Sequence, residues 1–131
     1  MPEYIPFSKD SLIRYRLQNQ QVSESKFGQA EDVVRWLCAV QSQDFGAAKW
    51  AVAQRTPSMT DAAVEQAFAE GAILRTHVMR PTWHFVAPED IRWLLALTAP
   101  RVDAASASYY RRLELDQAIF RHSQRVIEKA L

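Results

Sequence analysis

The alternation of apolar and polar positions divides the chain into a helical part, one β-hairpin and a second helical part. Ser8 to Leu17 carries Leu12, Ile13 and Leu17 on one side and reads as a first helix. Gln18 to Gln29 is polar and reads as a loop. From Ala30 to about Gln41, the residues Val33, Val34, Leu37 and Gln41 recur at helical spacing, and Glu31 and Asp32 occupy the first turn, where carboxylates suit the helix dipole. This predicts a helix over that span. A break near Ser42 to Gly46 precedes a short helix around Ala47 to Arg55 and a turn at Thr56-Pro57-Ser58. Thr60 then caps a helix running to Glu70, with Gly71 at its stop position.

Ala72 to Val78 and Thr82 to Val86 give the clearest β signal, flanking the connection Met79-Arg80-Pro81. A tight loop at Arg80-Pro81 puts Leu74, Thr76, Val78, Trp83 and Phe85 on a core face. It puts Arg75, His77, Thr82 and His84 on a polar, basic face. Pro88 opens a further helix to about Ala99, with Pro100 ending it. An amphipathic helix carrying Ile119, Phe120, Val126, Ile127 and Leu131 then runs from about Asp116 to the end without a stop signal, so the expectation is a longer parent chain.

The fold class that follows is mainly α with a small β-hairpin, in the helix–helix–hairpin order of a winged helix-turn-helix. The expected organisation is an N-terminal helix and loop over 1–29, a winged-helix domain over 30–87, and a helical segment over 88–131 that begins a further unit.

Composition narrows the setting. At 131 residues the chain is long enough for one core and short for two. No apolar run approaches the length of a membrane span, and the first residues lack a signal peptide's apolar stretch. Cys38 is the single cysteine, so no internal disulfide can form; the cytoplasm is the expected location. Cys38 and the tryptophans Trp36, Trp50, Trp83 and Trp93 are expected in the core, with Trp50 near enough to Gln41-Ser42-Gln43 to line a pocket. Net charge is only +1, but residues 1–70 hold 7 cations against 9 acids and residues 71–131 hold 9 against 6. A polyanion is therefore expected to favour the second half.

That asymmetry matters because the helix before a wing usually reads the major groove. Here it runs Asp61 to Glu70 with three acids and no Lys or Arg, and only Gln66 could read a base. DNA is expected instead at the hairpin's Arg75 and His77 face, or at Arg101, Arg111, Arg112, Arg121 and Arg125. A second oddity is Gln41-Ser42-Gln43. Buried without partners, Gln41 would cost roughly 1–3 kcal/mol. It either caps the helix end or converges with Gln43 on a ligand. Residues i and i+2 diverge in a helix and share a side in an extended segment, so convergence requires the helix to end near Gln41. Asp44 at the following junction reads as the cap of the next helix.

Ala39-Val40-Gln41-Ser42-Gln43-Asp44-Phe45 with Lys49-Trp50-Ala51, and Leu74-Arg75-Thr76-His77-Val78-Met79-Arg80-Pro81-Thr82-Trp83-His84-Phe85-Val86, form a pair of motifs. At this spacing they resemble the AlkZ-like winged-helix family of DNA glycosylases, from roughly Leu17 to Arg101. Pro81 stands where many relatives carry glycine, which implies a different turn. The resemblance implies a longer protein with tandem winged helices around a DNA channel. It implies a glutamine–any–glutamine catalytic motif at Gln41 and Gln43, and removal of alkylated purines by hydrolysis of the N-glycosidic bond. Double-stranded DNA is the implied partner, contacted by Arg75, His77, Arg80 and His84, with no cofactor and no membrane. His77 and His84 are expected side by side on the polar hairpin face; no third ligand accompanies them, so no metal is expected. The competing readings are a non-catalytic winged-helix DNA-binding protein and an interaction module whose acidic helix meets protein.

Overall fold

The structure, a computed structural model, describes residues 8–24, 26–79 and 82–131. Its elements in chain order are α1 (Lys9–Asn19), α2 (Ala30–Leu37), β1 (Ala39–Gln41), α3 (Phe45–Ala53), α4 (Asp61–Ala69), β2 (Leu74–Val78), β3 (Thr82–Val86), α5 (Ile91–Arg112) and α6 (Gln117–Ala130). The three strands form one antiparallel sheet in the order β1-β3-β2. The fold is thus mainly α with a small sheet, and α2-β1-α3-α4-β2-β3 follows the order of a winged helix-turn-helix.

Local chemistry sets most of the boundaries. The Ser8 hydroxyl accepts from Ser11 N–H at the start of α1, Asp44 Oδ1 accepts from Ala47 N–H at 2.9 Å at the start of α3, and the Thr60 hydroxyl accepts from Ala63 N–H at 3.2 Å at the start of α4. Gly71, at φ +72°, ends α4 as expected, and Ala72 N–H closes back on Ala67 C=O at 2.8 Å. Asp116 caps α6 through two backbone N–H groups.

Three expectations about the elements are corrected. The helix predicted to Gln41 stops at Leu37: Cys38 turns the chain at φ +66°, and Ala39, Val40 and Gln41 pair with Val86, Phe85 and His84. Sheet ladder bonds to a strand distant in sequence replace the helical ones. In the hairpin, Val78 pairs with Thr82, so the connection is one residue longer than the tight loop assumed. A one-residue change inverts which side each residue of a strand faces. Thr82, His84 and Val86 therefore share a face with Leu74, Thr76 and Val78, while Trp83 and Phe85 join Arg75 and His77. Third, α5 continues through Pro100 to Arg112. One proline removes a single N–H donor, and the alanine-rich segment beyond it sustains the helix.

The sheet carries helices on both faces. On one, Phe85 and Val40 pack with Val33 and Val34 of α2, Ala48 and Val52 of α3, and Val64 and Ala67 of α4. The ring of Phe85 meets Phe45 and Phe68 edge-on at 5.5 and 4.7 Å between centroids. On the other face, Val78, Val86, Leu74 and Ala39 pack with Ile91 and Leu94 of α5, and Cys38 joins them as expected. The tryptophans do not: Trp36, Trp50, Trp83 and Trp93 are all at least 36 % exposed. Val, Ala and Phe fill the small space between sheet and short helices instead. Neither α1 nor α6 contributes a fully buried residue.

Candidate nucleic-acid site

Gln41 ends β1 directly opposite His84, and Gln43 lies two residues on, beyond the end of the strand. Between them Ser42 is fully buried and keeps the sheet ladder going by one residue, its N–H donating to Trp83 C=O at 2.7 Å. The chain is strand at Gln41 and bends at Gln43 and Asp44, and both glutamines are exposed. They line one shallow depression of about 270 Å³ together with Asp44, Ala47, Ala48 and Ala51. The alanines of α3 leave this space open beside the two amides. The early end of α2 is thus what meets the condition for convergence.

Arg75 reaches this segment from β2. Its Nη2 donates to Ser42 C=O at 2.8 Å and, more weakly, to Gln43 C=O at 3.5 Å. The guanidinium lies over the rings of Phe45 and Trp83 at 5.3 and 4.7 Å. Gln43 Oε1 in turn accepts from Trp83 N–H at 3.4 Å.

The four hairpin residues expected to touch DNA separate. Arg75 is turned inward on the glutamine segment. His84 is 8 % exposed, and its Nδ1 lies 2.9 Å from Thr82 C=O. A carbonyl only accepts, so Nδ1 carries the proton. His77 is exposed, with its ring 3.9 Å from that of Trp83 between centroids. Arg80 lies outside the described residues. His77 and His84 stand on opposite faces of the sheet, because the register differs from the one assumed. No group of three metal-ligating side chains occurs among the described residues. Arg101, Arg111, Arg112, Arg121 and Arg125 are all exposed on α5 and α6.

Two features had no reading in the sequence. One is the inward course of Arg75, which depends on strand pairing. The other is Lys49, nearly buried on α3, whose ammonium donates to Asp61 at 2.9 Å and to Glu65 at 2.7 Å. These bonds, Asp61's foremost, hold its pKa above the ordinary lysine value. Two of the three acids that made α4 look hostile to phosphate are therefore offset by a lysine one helix away. Gln66, the candidate base reader on α4, donates to Glu70 at 2.6 Å.

Residues 34–131 match the family described as DNA glycosylase AlkZ-like. The chain is 32 % identical over 88 residues to the interstrand DNA cross-link repair glycosylase of Streptomyces sahachiroi, a match covering 67 % of this chain and 24 % of that protein. The solved structure of Streptomyces sahachiroi DNA glycosylase AlkZ superposes with a TM-score of 0.62 at 28 % identity, over 79 % of this chain and 30 % of that one. The matched part is thus about a quarter of the curated relative's length.

Proposed function

This chain belongs to the AlkZ-like DNA glycosylase family, and we propose that it carries the catalytic glutamine pair of a DNA repair glycosylase that hydrolyses the N-glycosidic bond of alkylated purines in duplex DNA. The observation that supports this reading is that Gln41, the last residue of β1, and Gln43, two residues beyond it, line the same depression.

The chemistry suits amides. A purine alkylated at N7 or N3 is cationic and departs as a neutral base, so little acid catalysis is needed. The sugar becomes oxocarbenium-like and water completes the reaction. The two amides can orient that water, and an amide oxygen turned to the sugar can face the developing positive charge; as weak bases they leave unactivated nucleotides alone. The leaving group brings its own activation, so the reading calls for neither metal nor small-molecule cofactor. The nearest lysine, Lys49, is held protonated on Asp61 and Glu65, which disfavours it as an amine nucleophile for a lyase step. In this reading His77 and the arginines of α5 and α6, all exposed, meet phosphate.

The test is base release from a duplex containing one N7-methylguanine, scored as alkali-labile abasic sites, using the full-length protein. The parent is expected to release the base, and a Gln41→Ala/Gln43→Ala variant to lose roughly a hundredfold or more in rate. Release that survives the double substitution would move the active site elsewhere. Binding without release across a panel of alkylated purines would favour a DNA-binding protein without this activity.

A further inference from the structure

We infer that Arg75 is a positioning residue for Gln43, acting through the backbone of the glutamine segment rather than on DNA. In an antiparallel sheet, Ser42 and Trp83 would exchange two backbone hydrogen bonds. One is made, from Ser42 N–H to Trp83 C=O at 2.7 Å. The return bond is diverted: Ser42 C=O accepts from Arg75 Nη2 at 2.8 Å. Trp83 N–H is left to find another acceptor, and it takes Gln43 Oε1 at 3.4 Å. The two contacts are linked through one stretch of backbone: Arg75 holds the Ser42 carbonyl, and the Trp83 N–H, which does not bond that carbonyl, meets the Gln43 oxygen.

The coupling orients the amide. An N–H group is met by oxygen and not by NH2, so Gln43 is held with its oxygen toward the sheet and its Nε2 donors away from it. Gln41 makes no side-chain hydrogen bond among the described residues, and its amide oxygen stays free to accept. Gln43 thus presents its donors outward, while the unbonded Gln41 amide can turn its oxygen to the same depression, so that a water there can accept from one and donate to the other.

Arginine suits this role. Its planar fork bonds Ser42 C=O while lying over the rings of Phe45 and Trp83. Lysine could reach the carbonyl as a point charge but could not stack in that way, so Arg75→Lys should keep part of the effect and Arg75→Ala none of it.

The inference rests on the glycosylase reading only for its kinetic arm. In the full-length protein, single-turnover release of N7-methylguanine should fall roughly a hundredfold in Arg75→Ala, with partial recovery in Arg75→Lys. Affinity for the same duplex, and its dependence on salt, should stay at the parent values. Independently, nitrogen relaxation of the Gln43 side-chain NH2 should show an ordered amide in the parent, a partly released one in Arg75→Lys and a mobile one in Arg75→Ala. Weakened binding with a log–log salt slope shallower by about 1 would make Arg75 a phosphate contact and overturn the inference. So would a Gln43 amide equally ordered in parent and variants. If the parent releases no base, the glycosylase reading falls and the relaxation measurement alone decides. If Arg75→Ala does not fold, Arg75→Lys carries both readouts.

Discussion

Strain and burial meet at single residues on either side of the glutamine pair. Cys38 sits at φ 66°, ψ −48°, a region costing a non-glycine residue of order 1–3 kcal/mol, and it lies three residues before Gln41. That turn lets α2 end early and hands the chain to β1. The packing that holds β1 in place centres on Phe85, which is fully buried, pairs across the sheet with both Val40 and Arg75, and meets the rings of Phe45 and Phe68. Phe85→Ala is therefore expected to destabilise the protein by about 3–5 kcal/mol, read as a lower urea midpoint. Phe45 is also one of the rings beneath the Arg75 guanidinium, so loosening it would loosen the glutamine segment. A cost under about 1 kcal/mol would mean that the helices close over the gap and that Phe85 is not the hub of this face.

Among the elements, α5 departs furthest from its sequence signal. Pro100 lies inside it and cannot donate the bond its position calls for, yet the helix runs 22 residues. Pro100→Ala should restore that donor and raise stability by up to about 3 kcal/mol, seen as a higher urea midpoint with unchanged slope. A lower midpoint would show that the remainder of the fold requires the proline's local geometry. The elements legible in the sequence were those written in local chemistry: the Thr60 cap and Gly71 stop of α4, the Asp44 cap of α3, the two hairpin strands and the start of α6. The rest depended on partners far along the chain. The residues of β1 continue the helical spacing of Val33, Val34 and Leu37, and only pairing with Val86, Phe85 and His84 makes them a strand. Which way the hairpin residues face turned on one residue of its connection, and with it the separation of His77 from His84. The Gln41–Gln43 motif was readable as a pattern. The Arg75 contact that organises it spans 33 residues and was not.

At the scale of the whole molecule, the two helical layers that sandwich the sheet are joined at the surface by an ion pair. Arg35 of α2 donates from Nε to Glu89 at 2.7 Å and from Nη1 to Asp32 at 3.1 Å, and Glu89 stands just before α5. The pair thus ties the helix that leads into β1 to the helix on the opposite face. Its charges are unevenly dependent on pH. The Glu89 carboxyl is held below the ordinary carboxylate range, first by its own backbone N–H and then by the Arg35 guanidinium, whereas Arg35 is pushed further up by Glu89 and stays charged throughout. A carboxylate with a lowered folded-state pKa stabilises the fold above its unfolded pKa, about 4.3 for glutamate, and loses that contribution as pH falls through the folded value. The parent should therefore melt above Glu89→Gln at neutral pH, with the difference closing as pH falls below about 4.3. Because both side chains are about half exposed, the neutral-pH difference should be small and should shrink in high salt. A gap that persists undiminished in acid would mean that Glu89 acts through its packing at the head of α5, and that the two layers are held together by the sheet alone.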